Sequence, residues 1–245
     1  MAGGSSKRPG PDLPYRPLAG VVPCPGGWLV VSGKLQGITL APGELLMLPT
    51  FVEVLDYRPA FEIVAVHAPV GLPAKPTPGG RTCDQEARRL LGHPRSGAVV
   101  SAPSRKALGA RTFEVAAKRN RGMSVVQWAL LNRSAEVQAA MAPYQQRTVY
   151  EIHPELSFFQ LNGDRPMDHA KHTPEGRAER RALLERHLSG IERLLDRRVR
   201  GATPEHAVDA AAALWTCRRI ASRSVIRVPE DPEWDDTGLR MEILR

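Results

Sequence analysis

The sequence has little cysteine and no long apolar run, and each absence argues against a class of protein. Its 245 residues include three cysteines, which are far apart and form no Cys-x-x-Cys pair. This pattern argues against a zinc ribbon or a disulfide framework and favours reduced, buried thiols. No apolar stretch approaches the ~20 residues that a membrane-spanning helix needs. Residues 1–17 lack the apolar middle of a secretory signal and are rich in Gly, Ser and Pro. We therefore expect a cytoplasmic protein that makes no membrane contact and begins with a disordered tail.

The formal net charge is +8 and the isoelectric point is about 9.9. A basic surface suits a polyanionic partner, such as nucleic acid or the phosphate of a nucleotide. Composition bias explains the same excess, because Arg far outnumbers Lys and both Ala and Pro are abundant. The basic residues are spread along the chain without a dense block, so both interpretations stay open.

The first third of the chain has the pattern of a β-meander followed by a helix and a buried strand. Short apolar strands are predicted at 18–22, 27–33 and 35–43, with Gly- and Pro-rich turns between them. A short helix follows, with Thr50 as its N-cap. The continuous apolar run at 61–73 is typical of a strand that is covered on both faces. The predicted order is β-β-β-α-β.

Helices and strands alternate in the rest of the chain, which predicts a single α/β domain over residues 18–245 with a helical insertion at about 81–145. Gly92 ends one predicted helix. Thr173 and Thr203 each precede a Pro and are expected to cap two more. The predicted elements are helices at 81–92, 111–120, 124–141, 173–188 and 203–221 and a strand at 147–153.

Polar side chains stand where the buried strands end. His67 follows one strand, and Glu151 and His153 end the next. Asp209 lies on an Ala-rich helix, and small side chains would let that helix carry the carboxylate close to the sheet. Ligands in α/β folds collect outside the carboxyl ends of strands. Carboxylates suit Mg²⁺ or Mn²⁺, and histidine suits Zn²⁺. The alternatives are a solvated Asp209 and a His153 that caps a turn.

The helix "RTCDQEARR" offers a second polar group. Arg81 and Arg88 could bind a phosphate, with Asp84 between them. The same three residues are equally suited to ion pairs along one helix, and this alternative is the more ordinary one.

Six segments, taken in order, resemble a bacterial and archaeal family of unknown function whose members are described as nucleases with a ribonuclease H-like fold. The match runs from about residue 18 to the C-terminus. The resemblance implies a mixed five-stranded sheet, made of an antiparallel meander and parallel strands and flanked by helices. It also implies two-metal hydrolysis of phosphodiesters, with nucleic acid or nucleotide as partner. The segments are "GVVPCPGGWLVV" (20–31), "VAVHAPVGLP" (64–73), "RTCDQEARRLLG" (81–92), "YEIHPELSFFQLNG" (150–163), "KHTPEGRAERRALL" (171–184) and "PEHAVDAAAALWTCRRI" (204–220).

Two acidic positions of the family pattern are replaced, by Val22 and by His67. Val22 cannot bind a metal, and His67 offers a neutral nitrogen in place of a carboxylate. Two Mg²⁺ ions would lose about two compensating charges, which favours one Mn²⁺ or Zn²⁺ over a two-Mg²⁺ site; the alternative is that the protein has no cofactor. The family pattern is matched at Arg81, Asp84, Arg88, Glu151, His153, Glu155 and Asp209.

The resemblance thus implies a set of roles. Glu151, Asp209 and His67 are the expected catalytic residues, and with His153 they are the expected metal ligands. The residues expected to bind substrate are Arg81, Asp84 and Arg88. Glu155 is expected to cap or support the helix that follows.

Three functions remain open at this stage. The first is metal-dependent phosphodiester hydrolysis at an altered site. The second is a catalytically degenerate relative that binds nucleic acid, a nucleotide or a protein partner. The third is chemistry on a small substrate, because fold does not fix function.

Overall fold

Five strands form one mixed sheet in the order β3-β2-β1-β4-β5. We analysed a computed structural model, which describes residues 14–245. The two pairs within the meander are antiparallel, whereas β1 pairs with β4, and β4 with β5, in parallel. The predicted architecture is confirmed: a mixed sheet of five strands, with an antiparallel meander and parallel strands, flanked by helices. The strands are β1 (Arg16–Cys24), β2 (Gly27–Gln36), β3 (Thr39–Leu48), β4 (Ile63–Val66) and β5 (Val149–Glu151).

Helices occupy most of the remaining chain. Three of them, with three 3-10 turns, lie between β4 and β5, where the insertion was predicted. A two-stranded hairpin of β6 (Arg227–Trp234) and β7 (Arg240–Leu244) forms a separate sheet near the C-terminus. The helices are α1 (Phe51–Leu55), α2 (Thr82–Leu91), α3 (Phe113–Arg119), α4 (Val125–Ala140), α5 (Pro154–Leu161), α6 (Pro174–His187), α7 (Glu192–Leu195) and α8 (Pro204–Ala221).

The predicted helix starts match the structure closely. The Thr50 hydroxyl accepts a hydrogen bond from the Glu53 amide, and Thr173 caps α6 in the same way through Gly176. Thr203 is the N-cap of α8. The apolar run at 61–73 is a strand only over Ile63–Val66, because Pro69 and Pro73 prevent a longer ladder. Most of the predicted N-terminal tail lies outside the described residues, and β1 begins at Arg16.

Helix α8 packs directly against the centre of the sheet. Ala210, Ala211, Ala212 and Ala213 are fully buried in the core that it shares with β1 and β2. Opposite them stands Gly20 on β1, where an added Cβ would lie only 2.1 Å from the Ala210 carbonyl oxygen. The absence of large side chains on both surfaces therefore permits this contact, as the alanines around Asp209 predicted. Asp209 is buried as a result.

Candidate functional site

A cavity of about 300 Å³ lies where β4 and β5 end. His67 follows β4, Glu151 is the last residue of β5, and His153 begins the next helix; all three side chains line the cavity. Arg81 and Asp84 of the α2 region line it as well. The parallel pairing of β4 with β5 explains this meeting, because it brings the carboxyl ends of the two strands to one edge of the sheet.

The His67 imidazole faces the cavity. It lies edge-on to the His153 ring, with 4.9 Å between the ring centroids. Within residues 14–245 its ring nitrogens have no hydrogen-bond partner. Burial, and then the neighbouring His153 and Lys171, lower its pKa well below the ordinary value. His67 therefore presents a neutral ring to the cavity at pH 7.

His153 has a structural role at the start of α5. Its Nδ1 accepts a hydrogen bond from the Glu155 amide at 3.2 Å, which caps the helix. The capping role, the alternative to metal binding, is the one that this contact supports.

We expect His153 to titrate near pH 4 when its ring signals are followed by NMR, because burial lowers its pKa to about 4 from 6.5. In the unfolded chain the ring takes up its proton near pH 6.5. The unfolded state then binds more protons than the folded state, so His153 lowers stability as the pH falls from about 6.5 to about 4.

The matched control for this pH dependence is His153→Asn, which keeps a capping side chain and removes the titration. Compared with the variant, the wild-type protein should lose up to about 3 kcal/mol more free energy of unfolding between pH 7 and pH 4. An NMR midpoint near 6.5 would contradict this assignment.

Glu151 is bound on both oxygens by the buried guanidinium of Arg81. Arg81 Nη1 lies 2.8 Å from Oε2 and Nη2 lies 2.5 Å from Oε1, and the Val70 amide donates to Oε2 at 2.8 Å. Burial raises the pKa of Glu151, and Arg81 opposes that shift. Both oxygens of this carboxylate thus accept hydrogen bonds from within the protein.

Asp84 shares the same guanidinium. Arg81 Nη2 lies 2.7 Å from its Oδ1, and the backbone amides of Arg81 and Ala102 each donate to Oδ2 at 3.0 Å. Burial alone would raise the pKa of Asp84, but the Arg81 guanidinium and the backbone amides of Arg81 and Ala102 together hold that pKa below its ordinary value. The contacts therefore match the ion-pair alternative for Arg81 and Asp84.

Arg88 holds the wall of the cavity. Its guanidinium donates to the carbonyls of Val99 and Gly79 and to the Ser101 hydroxyl. These contacts fix the loop at 98–103, which lines the cavity. A role for Arg88 in substrate binding stays a prediction.

Asp209 reaches this region through a lysine that the sequence reasoning missed. Lys171 Nζ lies 3.0 Å from Asp209 Oδ2, and Lys171 lines the cavity. Burial raises the pKa of Asp209, and Lys171 opposes the rise. Burial also disfavours the charge on Lys171, but Asp209 outweighs it and raises the pKa of the lysine. The two residues stand 38 positions apart, so no spacing in the sequence pointed to their contact.

Glu155 forms a buried ion pair with Arg180. It lies in the first turn of α5, and Arg180 of α6 donates to it through Nε at 3.0 Å and Nη2 at 2.7 Å. Both side chains are almost fully buried. Glu155 therefore ties α5 to α6, in agreement with the supporting role expected from sequence.

A metal ion does not fit this donor set. Within residues 14–245, no group of three or more His, Cys, Asp or Glu side chains is arranged to hold one. Glu151 is held by Arg81 and Asp209 by Lys171, and His153 caps a helix. Val22, at the end of β1, is buried in the apolar core. The predicted Mn²⁺ or Zn²⁺ site, with His67, Glu151, His153 and Asp209 as ligands, stays a prediction.

None of the helices in the described part of the chain has the length and apolar character needed to cross a membrane.

Comparison with known proteins gives one family and two solved structures. No curated protein matches the chain. The structure of Thermus thermophilus RuvC is similar at 14% identity and a TM-score of 0.39, covering 85% of this chain and 97% of that one. T. thermophilus RuvC in complex with Holliday junction substrate gives the same values. A family model described as "Protein of unknown function (DUF429)" matches residues 19–234. Because this match spans most of the sequence, the chain belongs to that family.

Proposed function

We propose that this protein binds the phosphate of a nucleotide or nucleic acid in the cavity at the sheet edge, without metal-dependent cleavage. One observation carries the proposal: the acidic side chains at or next to the cavity are already paired with cations of the same chain. Arg81 binds Glu151 and Asp84, and Lys171 binds Asp209. These pairs compensate carboxylate charge from within the chain, which is one of the things that bound divalent ions do in a two-metal centre.

The energetics favour the intact ion pairs over a metal-bound site. A metal ion that took Glu151 as a ligand would leave the Arg81 guanidinium short of an acceptor, and its side chain is only 2% exposed. Breaking a buried ion pair by removing one partner costs about 3–5 kcal/mol. Metal binding would have to offset that cost before it contributed any affinity.

A metal-dependent nuclease is the second candidate, and one observation favours it. His67, Glu151 and His153 line a single cavity, as a converging site requires. In that case Mn²⁺ or Zn²⁺ would displace Arg81 and Lys171 from their carboxylates. The two candidate functions predict different effects of divalent metal on cleavage and on the melting temperature.

The test uses the purified full chain. We expect no cleavage of RNA or DNA with or without Mn²⁺, and no rise in melting temperature with Mn²⁺. We also expect binding of a labelled oligonucleotide that weakens as salt increases. Cleavage that requires Mn²⁺ and is abolished by Asp209→Asn would overturn the proposal in favour of the nuclease. An oligonucleotide and mononucleotides that all fail to bind would overturn it as well.

A further inference from the structure

The cavity at the sheet edge has an apolar wall. Helix α4 contributes Val126 and Leu130, the hairpin strand β7 contributes Ile243, and the loop at 98–103 contributes Val99. A pocket of about 300 Å³ lies at the small end of the range for small-molecule sites, which is roughly 300–1,000 Å³. Its walls suit the body of one small molecule better than a run of nucleotides.

Two other cations line the cavity, Arg81 and Arg133, and their side chains are less exposed than that of Lys171, at 2% and 22%. Arg81 is held between two carboxylates, and that group of three has a combined charge of −1. Arg133 pairs with Glu136 at 2.6 Å and also donates to the Cys24 carbonyl. Both guanidinium groups are thus engaged by carboxylates of the protein.

Lys171 is different. Its side chain is 42% exposed, whereas that of its partner Asp209 is 8% exposed, so the ammonium is the charge that a ligand meets. An ammonium has three N–H donors, and the contact with Asp209 uses one. The others remain available for a ligand.

His67 adds a polar group next to an apolar surface. Its ring lines the same cavity and carries one N–H donor in its neutral form. A charged and a neutral donor facing one small cavity form a suitable head-group site for an anion.

We propose that the cavity binds a small molecule with a single anionic group, a phosphate monoester or a carboxylate. Lys171 and His67 bind the anionic group, and the neutral body lies against Val126, Leu130 and Ile243. This inference rests on the anion-binding cavity of the proposed function; it narrows the ligand to a monomer and admits a carboxylate in place of the phosphate.

Calorimetry with two matched pairs of probes tests the ligand class. Uridine 5′-monophosphate is compared with uridine, and benzoate with benzamide, so each pair differs in the anionic group. We expect the charged member of at least one pair to bind at least tenfold more tightly, and the pair that responds identifies phosphate or carboxylate. Equal binding within both pairs, or no binding by any probe, would overturn the inference. If the labelled oligonucleotide still binds in a salt-dependent way, only this inference fails; Mn²⁺-dependent cleavage, or an oligonucleotide that also fails to bind, overturns the proposed function.

Substitutions at the lysine pair test the residues. Lys171→Met should weaken binding of the charged probe at least tenfold, and Lys106→Met, on an exposed lysine away from the cavity, should leave it unchanged. Asp209→Asn keeps the side-chain shape but removes the carboxylate that competes for the ammonium, so the folded variant should bind the charged probe severalfold more tightly. The bound probe should also shift the His67 ring signals in NMR. Weaker binding in Asp209→Asn, or unchanged binding in a folded Lys171→Met, would overturn the assignment.

Discussion

Replacing Arg81 with Met should lower the free energy of unfolding by about 3–5 kcal/mol, measured by urea denaturation at pH 7. The guanidinium is the shared partner of Glu151 and Asp84, and it also donates to the Gly71 carbonyl at 2.8 Å. Met fills a similar volume but offers no donor. Two buried carboxylates would then lose the cation that compensates their charge.

The matched control is Arg16→Met, which removes an ion pair at the surface. Arg16 and Glu62 are 39% and 47% exposed in their side chains, so their pair contributes at most about 1 kcal/mol. The triple variant Arg81→Met, Glu151→Gln, Asp84→Asn removes both stranded charges and should recover part of the loss. A change below about 1 kcal/mol in Arg81→Met would show that water or another group compensates the carboxylates, and the main objection to a metal at Glu151 would be lost.

Urea denaturation and a cleavage assay, both applied to Glu151→Gln, distinguish a structural from a catalytic role for Glu151. If Glu151 serves to hold Arg81, then Glu151→Gln lowers the free energy of unfolding, and neither the variant nor the wild type shows metal-dependent cleavage. If it serves a metal, the variant changes cleavage far more than stability. The sequence predicted where Glu151 lies, but its partner decides which role it has.

Local chemistry explains which features of the fold were predictable from the sequence. Thr50, Thr173 and Thr203 start helices through short-range contacts, and Gly92 ends one, so a few neighbouring residues determine each boundary. The extent of β4 was overestimated because a continuous apolar run does not reveal where pairing with neighbouring strands stops.

The candidate site was only partly predictable, for a related reason. His67, Glu151 and His153 meet because parallel strands end at one edge, which topology alone implies. The cations that neutralise the acids come from elsewhere in the chain: Arg81 lies 70 residues before Glu151. Such pairings depend on tertiary packing, and a basic residue in a helix or loop gives no sign of which carboxylate it will meet. Lys171, which changes the chemistry most, was therefore overlooked.

Gly20→Ala should destabilise the protein by about 3 kcal/mol or more, because it separates α8 from the sheet. An added Cβ would lie 2.1 Å from the Ala210 oxygen and 2.2 Å from the Leu214 nitrogen. Both are backbone atoms, four residues apart on one helix, so no side-chain rotation can relieve the contact. The helix would have to move outward, and the close packing of its alanines against β1 would be lost.

The control for this prediction is Gly97→Ala, since an added Cβ at Gly97 meets no atom within 4 Å and its backbone φ is not positive. It should change the free energy of unfolding by no more than about 0.5 kcal/mol. Because α8 carries Asp209, a displaced helix should also weaken the contact with Lys171, and NMR signals of the Lys171 side chain should shift in Gly20→Ala but not in Gly97→Ala. A Gly20→Ala protein as stable as wild type would mean that α8 can move away from β1 at little cost. The position of Asp209 would then not depend on the close approach of α8 to the sheet.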